Sequence, residues 1–473
     1  NKLSSKRNKL SSKRNKLSSK RNKLSNGPSS WPLDSVRWAL IRMRKPVTRG
    51  AKASRKECMM SRSGPPRLAI LGAGPIGLEA ALQAAALEMP FIVYERGRVG
   101  EHLHRWGHIR LFSPFSMNGT PLGRARLRAD HPHHDMPADN DILTGREHLA
   151  SYLEPLAQSP LLRDHIRKET AVLHIGRRGF LKEDNPGDAR RGQQPFLLLL
   201  RHGNREMIEE ADVVLDCTGT YSQPRSLGEG GIPAIGETAA RPHISWQIED
   251  ILGEQSGTYA DRTTLVVGSG YSAATTVSNL AILAQKHPGT WVIWLARASG
   301  TQPIKRFVND ALKERDQLAV RANTLATRGD GNVEYHPQTV VTAIECAGAD
   351  RGFKVRALCG GKSVTWEADR LIANVGYTPN TDLYRELQVH ECYASLGPMN
   401  LAAALLKHAG GDCLAVPSQG AATLRNPEPN FFVLGAKSYG RNSNFLLRTG
   451  FEQVRDVFTL ITGKTLLDPR KKP

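Results

Sequence analysis

No stretch of this 473-residue chain approaches the roughly 18–20 consecutive apolar residues that a membrane-spanning helix requires. The most apolar candidate, Trp291–Leu295, is short and reads as a strand. Cysteine is sparse: Cys58, Cys217, Cys346, Cys359, Cys392 and Cys413 are scattered, and no two stand in a C-x-x-C spacing. That pattern offers neither a disulfide framework nor a zinc ribbon, and the expected compartment is reducing and cytoplasmic. Acidic residues are scarce only at one end. Residues 1–62 carry 19 Lys/Arg against 2 Asp/Glu, whereas the remainder carries 46 against 43. The net charge of +20 therefore belongs to a tail, and the nearly neutral body gives no reason to expect a specific nucleic-acid partner.

The tail opens on Asn1-Lys2-Leu3-Ser4-Ser5-Lys6-Arg7, a heptad that occurs three times and begins a fourth. One Leu per heptad cannot form a coiled-coil seam, which needs two apolar positions, so residues 1–62 are expected to be disordered. Charge alone could draw this segment to RNA, DNA or an anionic membrane. The repeat could equally be accidental, and residues 31–62 could be a targeting peptide.

What is abundant from Arg67 onward is glycine in a particular setting. The apolar strand Leu68–Leu71 runs into Gly72-Ala73-Gly74-Pro75-Ile76-Gly77, then into an Ala/Leu-rich helix over 78–87, then into the strand Phe91–Tyr94, ending in Glu95. The three glycines serve different ends. Gly72 permits the tight turn, Gly74 allows close approach to a pyrophosphate, and Gly77 lets helix and strand pack together. The N–H groups at the helix start attract phosphates, and Glu95 stands near the spacing of a carboxylate that takes ribose hydroxyls.

The pattern returns about 195 residues later. A strand at 264–267 leads to Gly268-Ser269-Gly270-Tyr271-Ser272-Ala273, with Ala in the third small position, a helix over 274–284 and the strand Trp291–Leu295. No acid ends that strand. Arg297 stands there, followed by Lys305 and Arg306. A carboxylate would repel a 2′-phosphate and a guanidinium pairs with one, so the second site is expected to take NADPH over NADH.

Two such motifs in one chain resemble the two-dinucleotide-binding flavoproteins, a superfamily that includes class B flavin monooxygenases and thioredoxin-reductase-like enzymes. Further stretches share the resemblance. The run 212–219, ending in Thr218-Gly219 and followed by Pro224, is similar to the turn where the chain crosses between domains. The run 371–380 is similar to the return, and 431–435, ending in Gly435, to the strand that leads to the flavin. The resemblance implies an α/β fold, an FAD-binding Rossmann-like domain (63–245 and 366–465) with an inserted NADPH-binding Rossmann-like domain (246–365), and a substrate pocket between them. A helix from about Asn444 to residue 460, capped by Ser443 or Asn444, would point its N-terminus at the flavin. The chain departs from the superfamily in three places. Ala436 follows Gly435 where an Asp usually meets the FAD ribitol. No C-x-x-C is present for disulfide reduction. Gly236 and His243, followed by Trp246, only partly match a monooxygenase stretch.

The activity implied is an FAD-dependent, NADPH-consuming oxidoreductase of monooxygenase type, in which NADPH reduces FAD, the reduced flavin activates oxygen, and a small-molecule substrate is oxygenated. The alternatives are a flavin reductase or oxidase without oxygenation, and a non-catalytic nucleotide-binding redox sensor, to which Ala436 lends support. An oligomer is compatible with each. Asn118, in the loop 111–118, is the catalytic candidate, either a flavin-side amide or a plain turn residue, with Arg110 as a second cofactor-binding candidate. His102, His104 and His108, and His131, His133 and His134 with Asp135, lie in polar loops and are read as solvated or flavin-loop histidines, with no metal site expected. The run 196–200 reads as a buried strand.

Overall fold

The computed structural model describes residues 64–464 apart from 329–331, 347, 349–351, 408–410 and 417. The basic tail and its repeat lie outside the described residues. Among the described residues no helix is long and apolar enough to cross a membrane.

The first sheet is parallel, with order β15-β7-β1-β2-β3: β1 is Leu68–Leu71, β2 Phe91–Tyr94, β3 Ile166–Arg167, β7 Val213–Asp216 and β15 Phe431–Val433. The central strands are apolar at nearly every position because both faces are covered. Leu68 and Ile70 join a core with helix α1 (Pro75–Ala86) and the long C-terminal helix Leu447–Thr462. Ala69 and Leu71 face the other way, onto an antiparallel sheet of β4 (Thr170–Arg177), β5 (Phe196–His202) and β6 (Arg205–Ala211). The run 196–200 is thus a strand whose alternate residues Phe196, Leu198 and Leu200 are buried.

The second unit repeats the plan. Strands β8 (Thr263–Val267), β9 (Trp291–Leu295), β10 (Val333–His336) and β14 (Arg370–Ala373) form a parallel sheet in the order β10-β9-β8-β14. Val266, Val292 and Trp294 pack on helices α2 (Tyr271–Lys286) and α3 (Lys313–Arg328), where Ala273, Val277 and Ala319 meet them. Leu265, Ile293 and Leu295 pack on the opposite face against the antiparallel strands β11 (Thr339–Cys346), β12 (Phe353–Cys359) and β13 (Lys362–Ala368).

Packing corrects the expected boundaries 245/246 and 365/366. Leu227, Ala234, Ala240 and Ile244 already belong to the second core, and Ser245 bridges Ile372. Strand β14 pairs with β8 in register Arg370↔Thr264, so the stretch 371–373 is the last strand of the second unit rather than the return to the first. The return is made by the turn after it, where Tyr377 bridges Pro224. Apolar runs show that a strand exists but not which sheet it joins; that is decided by long-range pairing.

Candidate functional site

Both glycine turns open on one cleft of about 1390 Å³, with Gly72 and Gly74 in one wall and Gly268, Gly270 and Tyr271 in another. Two of the small residues have no room for a side chain. A Cβ on Gly77 would lie 1.9 Å from the Gly72 carbonyl oxygen, and one on Gly268, at φ +144°, would lie 2.3 Å from the Asn374 oxygen. Each strand–helix turn is therefore pressed against its own backbone or a neighbouring turn. At Gly74 and Gly270 the reverse holds: an added Cβ meets nothing within 4 Å, leaving open space over two helix starts. Pro75 occupies the first helical turn, where a missing N–H costs nothing, and Ile76 lines the cleft behind it. In the second motif Ser272 lines the cleft while Ala273 is buried beneath it. The indole N–H of Trp294 donates to the Gly268 oxygen at 2.7 Å and fixes that turn.

Glu95 is nearly buried at the end of β2. Its carboxylate accepts from the N–H groups of Ala73 (2.8 Å) and Gly97 (2.9 Å), and each oxygen retains a lone pair for a ligand hydroxyl. Thr218 and Gly219 line the cleft beyond β7. Below them lies a pair the sequence did not reveal. Lys437 and Asp216 are both fully buried and joined at 2.5 Å, while the Thr218 hydroxyl donates to the other Asp216 oxygen at 2.7 Å. Gly435 and Ala436 line the cleft, and the Gly435 N–H donates to Gln453 Oε1 at 2.8 Å.

Three sequence-based site assignments change. Asn118 does line the cleft, but it ends a short helix, Phe115–Asn118, and its amide is engaged by its own loop: Nδ2 donates to the Ser113 carbonyl (2.8 Å) and Oδ1 accepts from the Ser113 hydroxyl (2.9 Å). Arg110 is exposed, donates to the Ile142 carbonyl at 2.8 Å and is not among the residues lining the cleft. The C-terminal helix begins at Leu447, three residues later than expected, and neither Ser443 nor Asn444 caps it. Asn442 Oδ1 accepts the Asn444 N–H and holds that segment as a turn, while the Asn444 amide donates to the Gly411 oxygen; Asn444 still lines the cleft.

The cleft is basic. Arg225, Arg297 and Arg441 all line it, and burial together with the charges of Arg441 and Arg297 pushes the Arg225 guanidinium below its ordinary range. Arg306, expected alongside Arg297, is instead paired with Asp316 at 2.8 and 2.9 Å. The rings of Phe112, from the first unit, and Tyr271, from the second, meet edge to face at 5.4 Å across the cleft. Of the histidines, His102 lines it, held down to about 4 by burial and by Arg96 and Arg105; His104 pairs with Glu154 at 3.4 Å. His131, His133 and His134 line a separate groove. Among the described residues no three His, Cys, Asp or Glu side chains gather as a metal site. Sequence reasoning missed Lys437, Arg225, Arg441, Trp106 and His148. Arg225, which follows Pro224 of the domain-crossing turn, and Lys437, which follows Ala436, each had a signal one residue away.

Residues 69–180 match the pyridine nucleotide-disulphide oxidoreductase family. Among solved structures, the bacillithiol disulfide reductase of Bacillus cereus superposes with a TM-score of 0.60 at 16% identity, over 85% of this chain and 99% of that one. The fold is that of the two-dinucleotide-binding flavoproteins. The FAD-bound cadaverine monooxygenase of Erwinia amylovora shares this two-dinucleotide fold with a TM-score of 0.57 at 13% identity, over 87% and 97% of the two chains. The ornithine N-hydroxylase of Kutzneria sp. 744 does so with a TM-score of 0.54 at 15% identity, over 85% and 99%. No curated protein matches the sequence. At these identities the likeness extends to the flavoprotein fold and not to a particular reaction.

Proposed function

We propose that the chain is an FAD-dependent, NADPH-consuming oxidoreductase of monooxygenase type, acting on a small-molecule substrate. The observation that carries this reading is that two glycine turns, each opening a helix, face one shared cleft. The residues present fit the two dinucleotides. Gly72, Gly74 and the start of α1 would cradle the FAD pyrophosphate, Glu95 would take ribose hydroxyls, and Thr218 and Gly435 would approach by backbone, since Ala436 offers no carboxylate. Gly268, Gly270 and Ser272 would hold NADPH, with Arg297 on its 2′-phosphate; among the described residues no carboxylate pairs with Arg297. When bound, FAD supplies hydride acceptance from NADPH and delivery of electrons to oxygen or another acceptor. The protein contributes position and dryness: Phe112 and Tyr271 close one side, and Leu103, Leu111 and Leu434 make the wall apolar.

Thiol chemistry is disfavoured. Cys217 and Cys413 both line the cleft, but burial pushes both thiols up, so neither offers a thiolate near neutral pH. The likeness to bacillithiol disulfide reductase keeps a second reading, a reductase or oxidase that passes electrons to a small acceptor without oxygenation. One experiment separates them. The purified full chain is mixed with NADPH without oxygen, and air is then admitted with candidate nucleophilic substrates. Bleaching of the flavin followed by oxygenated product in step with NADPH supports the monooxygenase. Bleaching followed by hydrogen peroxide alone, whatever substrate is present, supports the reductase or oxidase. No bleaching contradicts both.

A further inference from the structure

Three guanidiniums in the wall of the cleft have no carboxylate. Arg225, Arg297 and Arg441 all line it, and among the described residues no Asp or Glu pairs with any of them. Two other cations of the wall differ: Arg315 is held by Asp310 and Asp412, and Lys437 by Asp216. Among the described residues two carboxylates line the cleft, and both are engaged. Glu95 accepts from the N–H groups of Ala73 and Gly97, and Glu101 pairs with Arg98 and Arg105. The charge of these guanidiniums is therefore left to whatever enters the cleft.

Arg225 is half-buried and held in place by backbone. Its Nε donates to the Tyr377 carbonyl at 3.1 Å, its Nη2 to the Arg441 carbonyl at 3.1 Å, and its own N–H to the Gly376 carbonyl at 3.0 Å. Those bonds leave both Nη1 hydrogens without an acceptor among the described residues. The Arg441 side chain is exposed, with no described acceptor for its fork. Next to it, Asn442 Oδ1 accepts the Asn444 N–H, while Nδ2 has no described acceptor. Burial, and then the charges of Arg441 and Arg297, push Arg225 below its ordinary range. Like charges held together in a partly dry wall repel, and an anion arriving among them relieves the repulsion. A guanidinium fork matches a carboxylate or phosphate edge, through two parallel N–H bonds.

The two dinucleotides account for one of the three. The helix starts behind Gly74 and Gly270 serve the pyrophosphates, and Arg297 serves the 2′-phosphate. Arg225 and Arg441 belong to neither glycine turn. Arg225 follows Pro224, which bridges Tyr377 where the chain crosses between units, and Arg441 stands in the loop after Gly435. The ring of Tyr221, 46% exposed and lining the cleft, meets the ring of the same Tyr377 edge-on at 5.2 Å. It offers an apolar face to the body of a ligand whose charge the arginines hold.

We propose that Arg225 and Arg441 form an anion subsite separate from both dinucleotides, and that the small-molecule substrate carries a carboxylate or phosphate group that docks there. The proposal rests on the two-dinucleotide reading above. The probe is inorganic phosphate, titrated by calorimetry at constant ionic strength into the full-length FAD-bound protein saturated with NADP⁺, so that the nucleotide phosphate sites are already filled. Wild type is expected to bind phosphate under these conditions. Arg225→Gln and Arg441→Gln are each expected to bind it about tenfold more weakly, with NADP⁺ affinity changed less than about twofold. Phosphate that binds only before NADP⁺ is added, or variants that bind phosphate as wild type does, overturn the proposal. So does an NADP⁺ affinity lowered tenfold in both variants, which would give the two arginines to the nucleotide. Arg225 also bonds two carbonyls, so should Arg225→Gln not fold, Arg441→Gln alone decides. A wild-type chain that binds neither FAD nor NADP⁺ overturns the function proposed above together with the subsite; one that binds both nucleotides and no phosphate overturns only the subsite.

Discussion

Replacing Lys437 by Met keeps the length of the side chain and removes its ammonium from beneath the Thr218 turn. The side chains of Lys437 and Asp216 are both 0% exposed. Asp216 Oδ1 would keep the Thr218 N–H at 3.1 Å and the Thr218 hydroxyl at 2.7 Å. Oδ2 would lose its bond to Lys437 at 2.5 Å, and no other described donor reaches it. A buried carboxylate stripped of its counter-charge costs about 3–5 kcal/mol, a large part of a total stability of roughly 5–15 kcal/mol. With a urea m-value of about 3 kcal/mol/M, the unfolding midpoint should fall by roughly 1–1.7 M. Adding Asp216→Asn to Lys437→Met removes the orphaned charge and should recover most of the loss, so the two changes are strongly non-additive. Urea melts of the four proteins at neutral pH measure this. A Lys437→Met midpoint within about 0.3 M of wild type, or a double variant no better than the worse single, would refute the reasoning.

Arg297→Ala should weaken NADPH binding about tenfold and NADH less than about twofold, because only the former carries the 2′-phosphate; calorimetric titration with both nucleotides checks it. The two glycine turns should be separable: Gly77→Ala, whose Cβ must displace the Gly72 carbonyl, should lose FAD binding, and Gly268→Ala, pressed on Asn374, should lose NADP⁺ binding, each by at least about tenfold in equilibrium dialysis. Apoprotein stability should fall with acid. His148 is held down to about 4 against an ordinary 6.5, so between these values the unfolded chain binds a proton the folded chain does not. Stability of about 3 kcal/mol is present above pH 6.5 and lost as pH falls towards 4. His148→Phe should flatten this slope in urea melts, leaving chiefly the contribution of His102, which is depressed in the same direction.

The elements of the nucleotide folds were legible because their signals are local. Strand Leu68–Leu71, the turn to Gly77 and the helix that follows are fixed by contiguous apolar and small residues, and the structure has them within a few residues. The second motif was legible for the same reason. What failed was non-local. The run 371–380 read as a strand and turn returning to the first domain, but pairing with β8 assigns its strand, Arg370–Ala373, to the second sheet. Arg306 stood where a phosphate ligand was expected, and Asp316, in the first turn of α3, neutralises it. Long-range ion pairs were not legible either: Arg177 and Arg191 are fully buried on Glu428, more than 230 positions away in sequence, and Lys437 is buried on Asp216. Sequence shows the cost of such burial but not the partner that offsets it. Asn118 was read as a flavin-side amide or a turn residue; it lines the cleft, but its partner Ser113 lay unremarked in the same loop.

The most direct test of two dinucleotides in one cleft is the binding stoichiometry of the full-length protein, measured by reconstituting the apoprotein with FAD, recording its visible spectrum and then titrating NADPH anaerobically. The expected result is one FAD per chain, with a perturbed flavin spectrum that bleaches as one equivalent of NADPH is added. A protein that takes up NADPH but no FAD, or binds FAD that NADPH never reduces, would contradict the two-nucleotide cleft.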